Sequence, residues 1–367
     1  MRKKKLFSIM LVLCMIISIL AGCGKNATST NTGESTKPTN TNESVIFTDS
    51  VGREVKLPAK ITKIAPSGSL AQMVLLALAP DMFVGISGKW SPEAEKYLDT
   101  KYYNLPILGQ FYGTKDLNLE EIAKVNPEVI IDIGDPKPTI KEDLDNITKQ
   151  VNIPAIHING TIDTMAEAYR TLGKLLGREQ QGEALAKYCE QTYKKTEDIM
   201  NAVGENGKVK LLYCTGKDGL NVLSKGSIHS VVLDKVGDNA AALEKVSSMG
   251  SGDPVNMEQI TLWDPDVIIF APGSNYSTVA TDPAWQKLKA IKNGKYYEVP
   301  NGPYNWMGSP PSVNLYMGMI WSTQLLYPEK AQYDAYKETA KYYELFYHCK
   351  LTEDQYKELV KNSLLKK

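Results

Sequence analysis

Several things are scarce in this sequence. There are five cysteines in 367 residues and no CxxC pair, which excludes a disulfide scaffold and argues against a zinc module. Three histidines are too few for a histidine-rich metal site. Neither sign of charge is in excess, with 42 basic side chains against 42 acidic ones. A nucleic-acid binder needs a positive surplus to hold phosphates, so that class is set aside. No GxGxxG, Walker A, HExxH or GxSxG segment occurs, and the chain reads as a binding protein rather than an enzyme. No resident cofactor is expected. What remains, 43% hydrophobic and 23% charged, is ordinary globular material of a length that suits about two domains.

The one long apolar run, Leu6–Leu20, lies at the N-terminus behind Arg2, Lys3, Lys4 and Lys5. It is short for a membrane span and flanked like a secretory signal. It ends in Leu20-Ala21-Gly22-Cys23, the pattern of a bacterial lipobox, so residues 1–22 read as a signal peptide and Cys23 as the lipidated first residue. Loss of the leader leaves 38 basic against 42 acidic side chains. The stretch through Ser44 is nearly all Thr, Ser, Asn, Gly, Lys and Glu, a flexible tether over 23–44. The protein is therefore expected on the extracytoplasmic face of the cell membrane. Cys189, Cys214 and Cys349 remain, an odd number, and no disulfide is expected among them.

The mature chain alternates strand and helix patterns. Val45–Lys56 reads as a hairpin turning at 49–52. Ile61–Ala65, Val129–Ile133, Ala155–Ile158, Val209–Tyr213, Val267–Phe270 and Tyr296–Val299 read as strands, and Ser69–Ala79 as an apolar helix. Apolar runs of strand length with helices between them argue for α/β architecture with parallel sheets. One segment repeats 138 residues later: Asn118–Ile131 matches Asn256–Ile269 at the Asn, at Glu120 and Glu258, at an Ile, at a Pro and through Val-Ile-Ile. Each copy reads as an Asn-capped helix with a Glu or Gln three residues on, a Pro stop and a buried strand. Two copies imply two similar lobes. Between them, Arg178–Val203 carries no Gly or Pro after Gly182; as one helix it spans roughly 39 Å. The expected division is 45–177 for the N-terminal lobe, 178–204 for the linking helix, 205–328 for the C-terminal lobe and 329–367 for terminal helices. Thr352 and Gln355 mark a capping box in that tail.

Together the lipobox, the tether, the repeat and the long helix resemble the ABC-importer substrate-binding proteins of the class III periplasmic-binding-protein type. The matching segments are TDSVGREVKLP, ITKIAPSGSLAQMVLLALA, NLEEIAKVNPEVIID, LSKGSIHSVVLDKVGDNAA and NMEQITLWDPDVII, covering about Ile46 to Pro328. The WMGSPPSVN stretch is similar to an iron-complex branch that also holds molybdate and tungstate binders. The resemblance implies two Rossmann-like lobes with parallel sheets, joined by one long rigid helix, with the ligand in the cleft between them. It implies a monomer that delivers an iron(III) chelate of siderophore type to a permease and its ATPase; a molybdate or tungstate oxyanion, haem or a corrinoid is the alternative. It also implies that Glu120 and Glu258 meet basic residues of the permease. Both equally suit the first helical turn, where a carboxylate favours the helix dipole.

Ligand contacts are expected where strands end. Ser67, Gly68 and Ser69 follow a strand and open a helix, whose free N–H groups favour an anion; Ser69 with Gln72 also reads as a capping box. Trp90 and Gln110 sit in two further loops, the second of them Gly109–Gly113. In the other half, Tyr213 ends a strand, Lys225 and His229 follow the next, and Tyr304 and Trp306 lie in a Pro/Gly-rich loop. Loop aromatics supply contact area at low entropy cost, though Trp90 or Trp306 would also serve as a core plug. His157, in a strand, reads as structural. No cluster of Tyr, His and carboxylate suited to bare ferric iron appears, so no metal-ligating residues are assigned.

Overall fold

The computed structural model describes residues 43–111 and 117–364. The signal peptide, Cys23 and most of the tether, like Tyr112 and Gly113, lie outside the described residues. No helix among the described residues is long and apolar enough to cross a membrane.

The chain opens with the expected hairpin, β1 (Ser44–Thr48) antiparallel to β2 (Glu54–Pro58). Its turn forms because the Asp49 carboxylate accepts from the backbone N–H of Val51 and Arg53 at 3.1 and 2.9 Å and Gly52 supplies a φ of +79°. The first lobe continues through β3 (Ile64–Pro66), α1 (Ser69–Leu78), α2 (Leu119–Val125), β4 (Val129–Gly134), α3 (Ile140–Val151), β5 (Ala155–Asn159) and α4 (Met165–Leu176). Its sheet has the order β3-β4-β5, all parallel. Then comes α5 (Glu179–Val203). The second lobe runs through β6 (Lys210–Thr215), β7 (Asn221–Val222), α6 (Val231–Val236), β8 (Asp238–Asn239), β9 (Asp253–Pro254), α7 (Met257–Trp263), β10 (Val267–Phe270), α8 (Lys289–Lys292) and β11 (Tyr296–Glu298). The chain ends with α9 (Leu315–Leu326), α10 (Ala335–Tyr347) and α11 (Glu353–Leu359).

The second sheet departs from the all-parallel expectation. β11, β10, β6 and β8 pair in parallel, but β7 runs antiparallel to β6 and β9 antiparallel to β7. The cause is local. After β6, Gly216 and Gly219 take φ of +80° and +72°, so the chain reverses at once and no crossover helix intervenes.

The repeated segment folds the same way twice. Asn118 caps α2 by accepting from Glu121 N–H at 3.0 Å, and Asn256 caps α7 by accepting from Gln259 N–H at 2.8 Å. Each helix stops at a left-handed residue, Asn126 and Asp264, directly before its Pro and its buried strand. In contrast, the capping box expected at Ser69 and Gln72 does not form. Gly68 is the N-cap of α1, without a side-chain cap, because Gln72 is engaged elsewhere.

At 25 residues, α5 is about 37 Å long and joins the lobes. Near its start Gln181 Nε2 donates to Ala77 O of α1 at 3.1 Å; further along, Glu197 pairs with Lys235 of α6 at 3.5 Å. Close packing on α4 explains its one glycine. A Cβ on Gly182 would stand 2.6 Å from Tyr169 O and 3.1 Å from the Cα of Gly173. Overpacking of this kind costs about 1–3 kcal/mol, while Gly→Ala in a helix returns up to ~1 kcal/mol. Gly182→Ala is therefore expected to lose about 1–2 kcal/mol net, measured by urea unfolding; a gain in stability would show that the helices can separate freely there.

The tail touches both lobes. The capping box at Thr352 and Gln355 forms as expected. Gln355 Nε2 also donates to Lys96 O at 3.1 Å, and Asn362 Nδ2 to Glu298 Oε2 at 2.7 Å.

Candidate functional site

Beside the start of α1 lies a cavity of about 690 Å³, lined by residues between 69 and 118 on one side and between 301 and 309 on the other. Its floor is organised by Gln72, which projects from α1 and is almost fully buried. The Gln72 carbonyl accepts from Ser87 N–H at 2.6 Å and Ser87 Oγ–H at 2.9 Å, while its amide donates to Tyr304 OH at 3.2 Å. One side chain thus ties α1 to the Ser87 loop and to the Tyr304 loop of the other lobe, and its carbonyl makes two internal hydrogen bonds. Tyr304 in turn stacks edge-on against Trp90 at 5.8 Å. The Trp90 indole is fixed by Nε1–H donating to Tyr102 O at 3.1 Å. The two aromatic rings therefore form one preset wall of the cleft.

The remaining lining is polar and almost uncharged. Ser69, Ser87, Ser91 and Ser309 bring hydroxyls. Gln110, Asn118, Asn301 and Asn305 bring amides, and Ser69 Oγ donates to Gln110 Oε1 at 3.2 Å. Among the described residues Lys89 is the single charged side chain of this lining, and none of them brings a carboxylate, imidazole or thiol to it. The start of α1 adds backbone N–H groups that no side chain caps. Burial pushes the phenol of Tyr304 up, the Gln72 amide opposing it only in part, so it stays a neutral hydroxyl at physiological pH.

Behind the α1 loop lies a feature that the sequence reading did not pick out. Asp132, in the middle of β4, is buried. It accepts from Ser67 Oγ at 2.5 Å, and its other oxygen lies 2.7 Å from His157 Nδ1. The clue in the sequence is an acid within an otherwise apolar strand, which must be paired when buried.

Of the expected ligand contacts, Ser69, Trp90, Gln110 and Tyr304 line the cavity together. Gly68 backs it, since a Cβ there would lie 3.8 Å from Gln110 Oε1. Ser67 points instead to Asp132. Tyr213 is a second layer: its OH accepts from Nδ2 of Asn305 at 3.2 Å. His229 is buried with Nδ1 2.7 Å from Gly308 O, beside the lining residue Ser309 rather than in the lining. Lys225 lies on the surface, 3.8 Å from Asp238, and Trp306 is a core residue at 1% exposure. The reading missed Gln72 as a scaffold, Lys89, and the lining amides of Asn118, Asn301 and Asn305. Glu120 and Glu258 are both exposed, each in the first turn of its helix, and Asn118, two residues before Glu120, reaches the cavity. Cys189 and Cys214 are free and buried, and burial pushes both thiols up.

Residues 67–303 match the profile described as periplasmic binding protein. The Fe(3+)-citrate-binding protein YfmC of Bacillus subtilis is 25% identical over 303 residues, covering 80% of this chain and 89% of that protein. An ABC transporter solute binding protein from Sulfurospirillum deleyianum has a TM-score of 0.80 at 28% identity, covering 86% of this chain and 99% of that one. The molybdate-bound MolA of Haemophilus influenzae shares the fold, with a TM-score of 0.67 at 21% identity over 84% of this chain and 99% of that one.

Proposed function

The chain belongs to the periplasmic binding protein family, and from that premise we propose that it is the solute receptor of an ABC importer whose ligand is an anionic iron(III) chelate of the citrate or siderophore type. The observation that carries this reading is the cleft lining: hydroxyls, amides and two aromatic rings around about 690 Å³, with Lys89 the only charge among the described residues. Such a lining binds an oxygen-rich ligand by neutral hydrogen bonds and favours a negative one. A cavity of that size suits a chelate and leaves a bare tetrahedral oxyanion poorly surrounded. The neutral phenol of Tyr304 and a lining whose described residues bring no carboxylate or imidazole support a metal that arrives already wrapped. The name of the Bacillus subtilis relative points the same way.

In this reading Ser69, Trp90, Gln110 and Tyr304 contact the ligand directly, with Gly68 and Ser67 shaping the loop and Tyr213 and His229 supporting the opposite wall. Cys23 carries the lipid that holds a monomeric receptor at the outer face of the cell membrane. Glu120 and Glu258 present one carboxylate per lobe to a basic permease surface.

The test is a thermal-shift and calorimetric comparison of ferric citrate with molybdate. Ferric citrate is expected to raise Tm and molybdate to leave it unchanged; the reverse pattern removes the chelate reading. Lys89→Glu is expected to weaken ferric citrate binding about tenfold at low ionic strength, less in high salt, because Lys89 is exposed and screened. An unchanged affinity would show that the ligand makes no use of that charge.

A further inference from the structure

The two lobes offer the same carboxylate on the same helical turn but different side chains one turn later. Glu120 is followed at i+4 by Lys124, which is already paired with Glu121 at 3.3 Å. Glu258 is followed at i+4 by Leu262, which is 79% exposed, the highest value of any large apolar side chain among the described residues. Residues four apart share a helix face, so Glu258 and Leu262 stand together on α7. Isolated exposed leucines are common and need no account. This one is set apart by its place: the helix is the counterpart of a polar one, its neighbours Met257 and Trp263 pack inward on the second-lobe core, and Glu258 is exposed in the first helical turn with no ion-pair partner among the described residues.

The geometry points to an asymmetric docking surface, in which α7 supplies an apolar anchor beside its carboxylate and α2 supplies charge alone. The partner is the importer's permease, and this inference rests on the docking reading proposed above. Complementarity sets its chemistry: a basic side chain opposite Glu258 and an apolar side chain or pocket about one helical turn away. A small apolar anchor next to a charge contact gives up more water than the charge contact alone, and removing apolar surface from water favours association. The α2 contact, being purely ionic, weakens with salt; the α7 contact persists.

The experiment uses the full lipid-anchored chain in its own membranes, solubilised mildly. The readout is the amount of integral-membrane permease subunit, identified by mass spectrometry, that co-purifies per receptor. Leu262→Ala is expected to lower it about five- to tenfold, Leu262→Met to restore it, and Lys124→Ala to leave it within twofold. All three variants should keep the melting temperature of the parent, since both positions are exposed. Undiminished co-purification of Leu262→Ala alongside loss in Glu258→Lys overturns the apolar anchor and leaves the carboxylate docking standing. If Glu258→Lys is also without effect, or the parent brings down no permease, the docking reading fails and the anchor with it.

Discussion

Reversing Glu120 and Glu258 together to lysine is expected to reduce uptake of the ligand by cells at least a hundredfold while leaving ligand affinity within about twofold. Both carboxylates are exposed at the start of α2 and α7, and neither lines the cavity. Placing like charge against like across an interface costs several kcal/mol, so two reversals against a basic permease surface suffice for the predicted loss. The competing explanation is folding. A lysine in the first turn of a helix opposes the dipole by about 0.3–1 kcal/mol per site, which is too little to unfold the chain. Melting temperature and ferric citrate binding of the purified double variant separate the two. Uptake equal to the parent's would reject carboxylate docking.

Removing the buried carboxylate of Asp132 is the largest stability change expected. Asp132→Ala leaves Ser67 Oγ and Nδ1 of the fully buried His157 without the carboxylate they now share. It also opens a void between β4 and β5. Breaking a buried pair by deleting one partner costs about 3–5 kcal/mol, enough to remove a large part of a typical domain's stability. Asp132→Asn retains one acceptor and the volume and is expected to cost roughly half as much. Ligand affinity should fall with it, because Ser67 precedes the Gly68–Ser69 start of α1 at the cavity. Urea unfolding measures the first effect and calorimetry the second. A destabilisation under about 1 kcal/mol for Asp132→Ala would mean that water reaches this network.

Much of the fold was legible because it is written in local signals. The hairpin turn, the Asn caps of α2 and α7, the Pro stops and the capping box at Thr352 each involve residues within about five positions of one another. The 25-residue helix was visible from a stretch free of breakers. The antiparallel β7 and β9 were not, since two-residue strands carry no periodicity. The same division runs through the cleft. Ser69, Trp90, Gln110 and Tyr304 follow strand ends or glycine-rich turns, so their loop position could be read. Gln72 could not: its sequence neighbourhood makes it a capping partner, and only the approach of Ser87 and Tyr304 gives its amide other work. Trp306, two residues from Tyr304, is in the core because the same loop turns one aromatic to the cleft and the other inward.

Sequence alone determined the α/β class, the internal repeat, the long helix and the pair of matched carboxylates, because each is set by patterns along the chain. Only tertiary structure decided which loop residues share a cavity, that Lys89 is the sole charge among the described residues of its lining, and that Asp132 and His157 pair 25 residues apart. These depend on how two lobes and a tail pack against one another. Packing is fixed by volume and by the pairing of buried polar groups, and neither is carried by any short stretch of sequence.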